Sequence, residues 1–387
     1  METFFTPVSK QVLAHREILK DNVLGKRMSI YSTEGDFPDL SQCKMVLFGV
    51  CESRNSENYL GKQPTFDAIR MSLYSLYEGN WQYPLADLGN ILAGESVADT
   101  YFAVKQTIAK LISHNIIPII LGGSQDLTYA IYRGYDQFPR MVNLVNIDSR
   151  FDIGNTENPI SSKSYVGKMV VDKPFNLQNY TNLGYQTYFN SPEEIDLVER
   201  LYFESYRLGE LTGDITLAEP VLREADIVSF DITAIKASEM SYSGYVSPNG
   251  FDGREACALA RYSGISNQVS SFGIFELENI ERENAASMLI AQMLWYFIEG
   301  VNFRIEDGHF DSEKDFFTYQ VPVEDEILVF KKSNKSQRWW VEIPFNITPN
   351  NKNKTYTLLP CTYSDYQAAC DQKIPERWLR ARQKNES

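Results

Sequence analysis

Short, almost wholly apolar runs alternate with stretches whose apolar residues recur every three or four positions, from Met45 to Ile298. Met45–Val50 reads as a first strand, entered from Lys44 and left through Cys51, Glu52, Ser53 and Arg54. Beyond Pro64, Phe66, Ile69, Leu73 and Leu76 keep helical spacing, as do Phe102, Val104, Ile108 and Leu111 within Asp99–Ile112. Ile116–Leu121 is an apolar run ending in a glycine pair, the signature of a strand buried on both faces of a parallel sheet. Asp126–Tyr132 opens the next helix, and Met141–Ile147 is a strand ending at Asp148. Thr216–Ala225 predicts a helix and Ile227–Phe230 a strand ending at Asp231. Arg254–Tyr262 and Glu283–Ile298 predict amphipathic helices flanking a strand over Ser270–Leu277. This order predicts an open α/β sheet, mostly parallel, with helices on both faces. Ligands bind such sheets outside the carboxyl ends of the strands, where Asp148, Asp152 and Asp231 fall.

The tail follows a different pattern. Glu326–Lys332 and Arg338–Phe345 flank Ser333–Ser336 as a hairpin, with Trp339 and Trp340 on opposite faces. Pro344, Pro349 and the Asn/Lys-rich stretch around them predict a loop. Asp365–Gln383 has helical periodicity interrupted at Pro375. The expected division is a body over 1–312 and an appendage over 313–387 packed on it.

Composition narrows the classes of function. The 387 residues carry 51 acidic against 37 basic side chains, a net charge of −14 spread along the chain, so nucleic acid is not an expected partner. Five cysteines without close pairing or metal-knuckle spacing fit free thiols in a reducing compartment. No run approaches the ~20 apolar residues of a membrane span, and the amino terminus lacks the basic-then-apolar plan of a signal peptide. A cytoplasmic protein with no membrane partner is expected.

The candidate chemistry lies in two loops, LGGSQDLT with Gly122, Gly123, Gln125 and Asp126, and NIDSRFD with Asp148, Arg150 and Asp152. Asp148, Asp152 and Asp231 would repel one another unless a cation compensated them, either a divalent ion with oxygen ligands or the Arg150 guanidinium. If the chain stays extended beyond Asp148, the side chains of Asp148 and Arg150 point the same way. The competing reading makes Asp148 and Asp231 capping or loop residues with no joint role. None of the three histidines, His15, His114 and His309, falls in these loops, and each is expected to be structural or exposed. Cys51 and Ser124 stand on the right edge but lack a histidine base, and no Gly-x-Gly-x-x-Gly follows a strand.

Taken in order, the segments resemble the ureohydrolase superfamily of arginase, agmatinase and formimidoylglutamase, most of all the formimidoylglutamase branch. That family has a GGDH or GGGH loop, a DAHxD loop, an SxDxD loop and a later Glu before an asparagine. This chain reads GGSQ at 122–125, DSRFD at 148–152, SFDIT at 229–233 and FELEN with Glu276. GVCESRNSENYLGKQPTFDAIR, 49–70, and NGFDGREACALARYSG, 249–264, are similar to two further family segments. The resemblance implies a three-layer α/β/α arginase-like fold, to which the tail adds a C-terminal hairpin and helix. It also implies two hydroxide-bridged manganese ions attacking a guanidinium or formimino carbon, and a trimer or hexamer, hence a homo-oligomer.

Carried over motif by motif, the two histidine ligands fall on Gln125 and Arg150, and one carboxylate ligand falls on Thr233. Asp148, Asp152 and Asp231 retain the others, and Glu276 retains the glutamate that faces the substrate's cation. An arginine is a permanent cation with donors only and repels an ion beside it, which makes a two-metal clamp improbable. The leading expectation is therefore a homologue without the paired-manganese site and with no cofactor, in which Arg150 pairs with the carboxylates. Its role would be binding, regulatory or structural, its pocket lined by Gln125, Asp148, Arg150, Asp152, Asp231, Thr233 and Glu276. The ligand would be a small polar guanidino or amino-acid-like molecule. The alternative is a formimidoylglutamase-like hydrolase of a guanidino or formimino C–N bond, with one manganese on Gln125, Asp148, Asp152 and Asp231. On sequence alone, the combined change Q125H, R150H and T233D should restore manganese affinity.

Overall fold

In a computed structural model, ten strands form one sheet: β1 (Phe5–Thr6), β2 (Ser29–Ile30), β3 (Met45–Cys51), β4 (Leu85–Leu92), β5 (Ile117–Gly122), β6 (Val142–Ile147), β7 (Leu177–Tyr185), β8 (Glu204–Arg207), β9 (Ile227–Asp231) and β10 (Ser271–Phe275). Their order is β1-β4-β3-β5-β10-β9-β6-β7-β8, with β2 beside β4; β1 alone runs antiparallel to its neighbour. The structure describes every residue except 58, 241–246, 279, 281–283, 311, 345–355 and 387. The loop expected at Pro349, Asn279 of FELEN and the helix start at Glu283 lie outside the described residues.

The apolar runs work as the parallel-sheet reading requires, because alternate residues feed two cores. Leu47, Ile119, Leu121, Val228, Phe230 and Ile274 pack on one side against the helices 67–74, 218–224, 253–265 and 285–302. Val46, Phe48, Ile120, Leu144 and Ile227 pack on the other against 97–113, 127–133 and 165–171. This is a three-layer α/β/α arrangement with a largely parallel central sheet, as expected from the sequence. Local signals set the helix starts: Ser96 with Asp99, and Asp252 with Glu255, form reciprocal capping boxes. No helix among the described residues is long and apolar enough to cross a membrane.

Beyond the sheet, the expected hairpin is the centre of a four-stranded antiparallel sheet. β12 (Glu326–Ser333) and β13 (Trp339–Pro344) lie between β11 (Phe316–Val323) and β14 (Tyr356–Cys361). Trp339 enters a third core with Phe330, Val341 and Trp378, while the Trp340 ring lies 4.6 Å from the Arg223 guanidinium of the helix 218–224. Arg377 of the last helix donates to Glu204 at 2.8 Å and pairs with Glu224. These contacts attach the small sheet to the large one.

Candidate functional site

Five adjacent strands, β3, β5, β10, β9 and β6, bring their carboxyl ends to one place, where the loops 122–126, 148–152, 231–233 and 276–278 meet. Glycine permits the first of these loops. A Cβ on Gly123 would lie 2.1 Å from the Glu52 carbonyl oxygen, and one on Gly122 would lie 2.1 Å from the Phe275 ring. Asp152 and Glu276 both have left-handed backbone, with φ of 53° and 61°. Such strain persists only where the surroundings enforce it, and it collects at sites of function.

Asp148, Asp152 and Asp231 are buried and direct one carboxylate oxygen each at the carboxamide of Gln125. The amide atom facing Asp148 Oδ2 at 2.9 Å, Asp152 Oδ2 at 3.1 Å and Asp231 Oδ2 at 3.3 Å is assigned as the nitrogen, since an amide oxygen there would face only acceptors, and its two N–H groups are shared among the three carboxyl groups. The amide oxygen then accepts from Ser229 Oγ at 3.2 Å and Tyr165 Oη at 3.1 Å. Glu276 is held separately: it accepts from the Gln125 backbone N–H at 2.9 Å and from the Ser56 hydroxyl at 3.0 Å. Thr233 lies in the turn after β9, where its backbone N–H donates to Asp231 Oδ1 at 2.7 Å.

Arg150 does not make the expected pair with these carboxylates. The Arg150 backbone N–H donates to Asp148 Oδ1 at 2.9 Å, which bends the chain and ends the extended alternation on which that expectation rested. The guanidinium instead donates to the Phe189 carbonyl at 2.9 Å and lies over the Phe189 ring at 4.8 Å. The ammonium that reaches the cluster belongs to Lys163, 3.4 Å from Asp231 Oδ2 and 3.6 Å from Asp152 Oδ1. Lys163 sits in a serine-rich loop before the helix 165–171, a segment whose sequence shows no strand or family motif. Its one legible signal is the apolar run from Tyr165, which marks a helix start beside the strand ends. Tyr165 is likewise a site residue outside the motifs, while Ser229 and Ser56 fall within the segments 229–233 and 49–70 but are not among the expected site residues.

The electrostatics follow from this crowding. Burial, then Asp148, push the Asp152 carboxyl well above its ordinary range, and Lys163 only partly offsets them. Burial and Asp148 also raise Asp231, to about 6. Burial raises Glu276, with Asp231 and Glu278 adding to it. For Lys163, burial alone would favour the neutral amine, but Asp152, Asp231, Asp148 and Glu276 outweigh it and hold the ammonium.

The other expectations fall outside this cluster. His15 contacts Ser75 Oγ, His114 caps the helix 97–113 and contacts the Lys110 carbonyl, and His309 lines a cleft beside the small sheet. Cys51 is buried at the end of β3, and burial pushes its thiol up to about 11, which keeps it protonated and unreactive.

The residues present do not fit a pair of manganese ions. Hard divalent ions draw carboxylate oxygens to about 2.0–2.6 Å, whereas these oxygens surround an amide nitrogen at hydrogen-bond distance. Among the described residues no group of three or more His, Cys, Asp or Glu is arranged to hold a metal ion.

Similarity to known proteins agrees with the fold. A formimidoylglutamase from Geobacillus sp. (strain WCH70) is 26% identical over 246 residues, 60% of this chain and 75% of that protein. A Staphylococcus aureus (strain JH9) formimidoylglutamase is 24% identical over 251 residues, covering 62% and 80%. Among solved structures, Trypanosoma cruzi formiminoglutamase with manganese superposes with a TM-score of 0.65 at 17% identity, covering 74% of this chain and all of that one. Agmatine ureohydrolase of Thermoplasma volcanium gives 0.57 at 19% identity, over 74% of this chain and 97% of that one. The sequence profile of the arginase family matches residues 43–299, well over half of the sequence, and the chain belongs to that family.

Proposed function

We propose that this chain is a metal-independent branch of the arginase family, related to formimidoylglutamase, that binds a small polar guanidino or amino-acid-like ligand without hydrolysing it. The observation that carries this reading is the Gln125 carboxamide at the focus of Asp148, Asp152 and Asp231. A neutral amide with two N–H donors occupies the point on which the three carboxyl groups converge, and no imidazole stands at 125 or 150 to hold a hydroxide-bearing ion. The strained, buried Glu276 supports recognition of a cationic group. In this reading 1–312 forms the binding body and 313–387 an appendage that braces it through Arg223 and Arg377.

One observation favours a second reading. Three carboxylate oxygens do converge on one point, so an outward swing of Gln125 would leave an oxygen-rich cage for a single ion, as a formimidoylglutamase-like hydrolase would require. Thermal-shift titration with arginine, agmatine, formiminoglutamate and glutamate, with and without EDTA, separates the two. The proposal expects a saturable shift that EDTA leaves unchanged and no release of urea or formamide. Turnover abolished by EDTA and restored by manganese would establish the second reading in its place.

A further inference from the structure

The loop 153–164 is built to place one side chain. Gly154 is left-handed at φ 51°, and a Cβ there would lie 2.6 Å from Ser164 Cβ and 2.7 Å from the Lys163 carbonyl oxygen, so the loop closes tightly on itself. The Ser162 N–H donates to the Asn55 carbonyl at 3.0 Å and the Val166 N–H to the Asp152 carbonyl at 3.1 Å. Ser164 Oγ accepts from the Ser161 N–H at 3.0 Å. So anchored, Lys163 carries its ammonium to Asp152 and Asp231 with its side chain one-fifth exposed.

We propose that Lys163 is a built-in counter-cation that stands in for a divalent ion, and that Lys163, beyond the loss of two histidines, keeps metal out. The inference rests on the metal-free reading above and deepens it. A cation entering the cage would sit a few ångström from a positive charge tethered to the chain, with little water between to screen it. Lys163 also relieves part of the repulsion among Asp148, Asp152 and Asp231 that an ion would otherwise relieve. Restoring the family ligands is therefore not sufficient. The triple change Q125H/R150H/T233D, which the motifs alone expect to regain manganese, stays without it while Lys163 remains.

The test compares wild type, the triple variant and the triple variant carrying K163A, each dialysed against manganese and then metal-free buffer. Metal per chain is measured by mass spectrometry and the unfolding midpoint by thermal shift. The expected result is no stoichiometric manganese in the first two. The quadruple variant should retain manganese and gain about 3 °C at a hundredfold excess over its Kd. Equal retention by the triple and quadruple variants would overturn the role of Lys163 and leave the metal-free reading of the wild type standing. Stoichiometric manganese in the wild type would instead overturn that reading.

Should the quadruple variant not fold, K163A alone decides. Loss of the buried counter-cation should lower the midpoint by about 4–6 °C, and D152N/K163A should recover part of that loss. A K163A midpoint within about 1 °C of wild type would overturn the proposal.

Discussion

Two buried charge clusters in this molecule are built in opposite ways. At β4, Arg70 and Asp87 are fully buried and saturated. Arg70 donates to Asp87 Oδ2 at 2.8 Å, Asp87 Oδ1 at 3.1 Å, Asn90 Oδ1 at 2.8 Å and the Gly89 carbonyl at 2.8 Å, while Tyr74 Oη and the Gly89 N–H complete Asp87. At the strand ends, Asp148, Asp152, Asp231 and Glu276 share the ammonium of Lys163 at longer range, and Asp152 Oδ1 has no hydrogen-bond partner. One cluster closes its valences and fixes the fold. The other leaves crowded carboxyl groups incompletely partnered, two of them on strained backbone, as a site for a ligand does.

The contrast can be broken by substitution. R70M should cost about 3–5 kcal/mol in urea unfolding, because it strands a buried carboxylate. A loss under about 1 kcal/mol would mean that Asp87 finds another partner. G123A should cost about 1–3 kcal/mol by forcing loop 122–126 off Glu52, and should weaken ligand binding in the same protein. Unchanged binding would separate that loop from the site.

The strand-end cluster should also respond to pH. Asp231 titrates at about 6 when folded, above its ordinary 3.8, so its stabilising contribution is complete below about pH 4 and is lost as pH rises through about 6. D231N lacks this titration and should gain stability relative to wild type from pH 4 to pH 7; parallel urea midpoints across that range would contradict it. The smallest effect belongs to D152N, which replaces a carboxyl whose neutral form burial and Asp148 already favour, and should stay within about 1 kcal/mol of wild type. A loss as large as that of R70M would erase the distinction between the clusters.

The central strands are legible because β3 and β5 bury both faces and read as apolar runs, and β6, β9 and β10 keep an apolar majority around Asn143, Asn146, Ser229 and Gly273. β4 and β7 went unread because Asp87, Gly89 and Asn90 interrupt one and Asn179 and Asn182 the other. Their burial depends on partners remote in sequence, such as Arg70. The motifs located Gln125, Asp148, Asp152, Asp231, Thr233 and Glu276, whose positions follow from strand ends. Arg150 turns away from the carboxylates because a side-chain turn at Asp148 reverses its direction, which no sequence pattern shows. Lys163 was invisible because a lysine in a serine-rich loop carries no periodicity and no motif, only a fold that delivers it.

Whether the chain itself fills the aspartate cage decides between metal-free binding and metal-dependent hydrolysis. Metal analysis of the wild-type protein, expressed and purified in manganese and then dialysed, tests this most directly. A cage filled by Gln125 and Lys163 should hold under about 0.1 equivalent of manganese, zinc or iron per chain. A stoichiometric amount that D148A or D231A removes would contradict it.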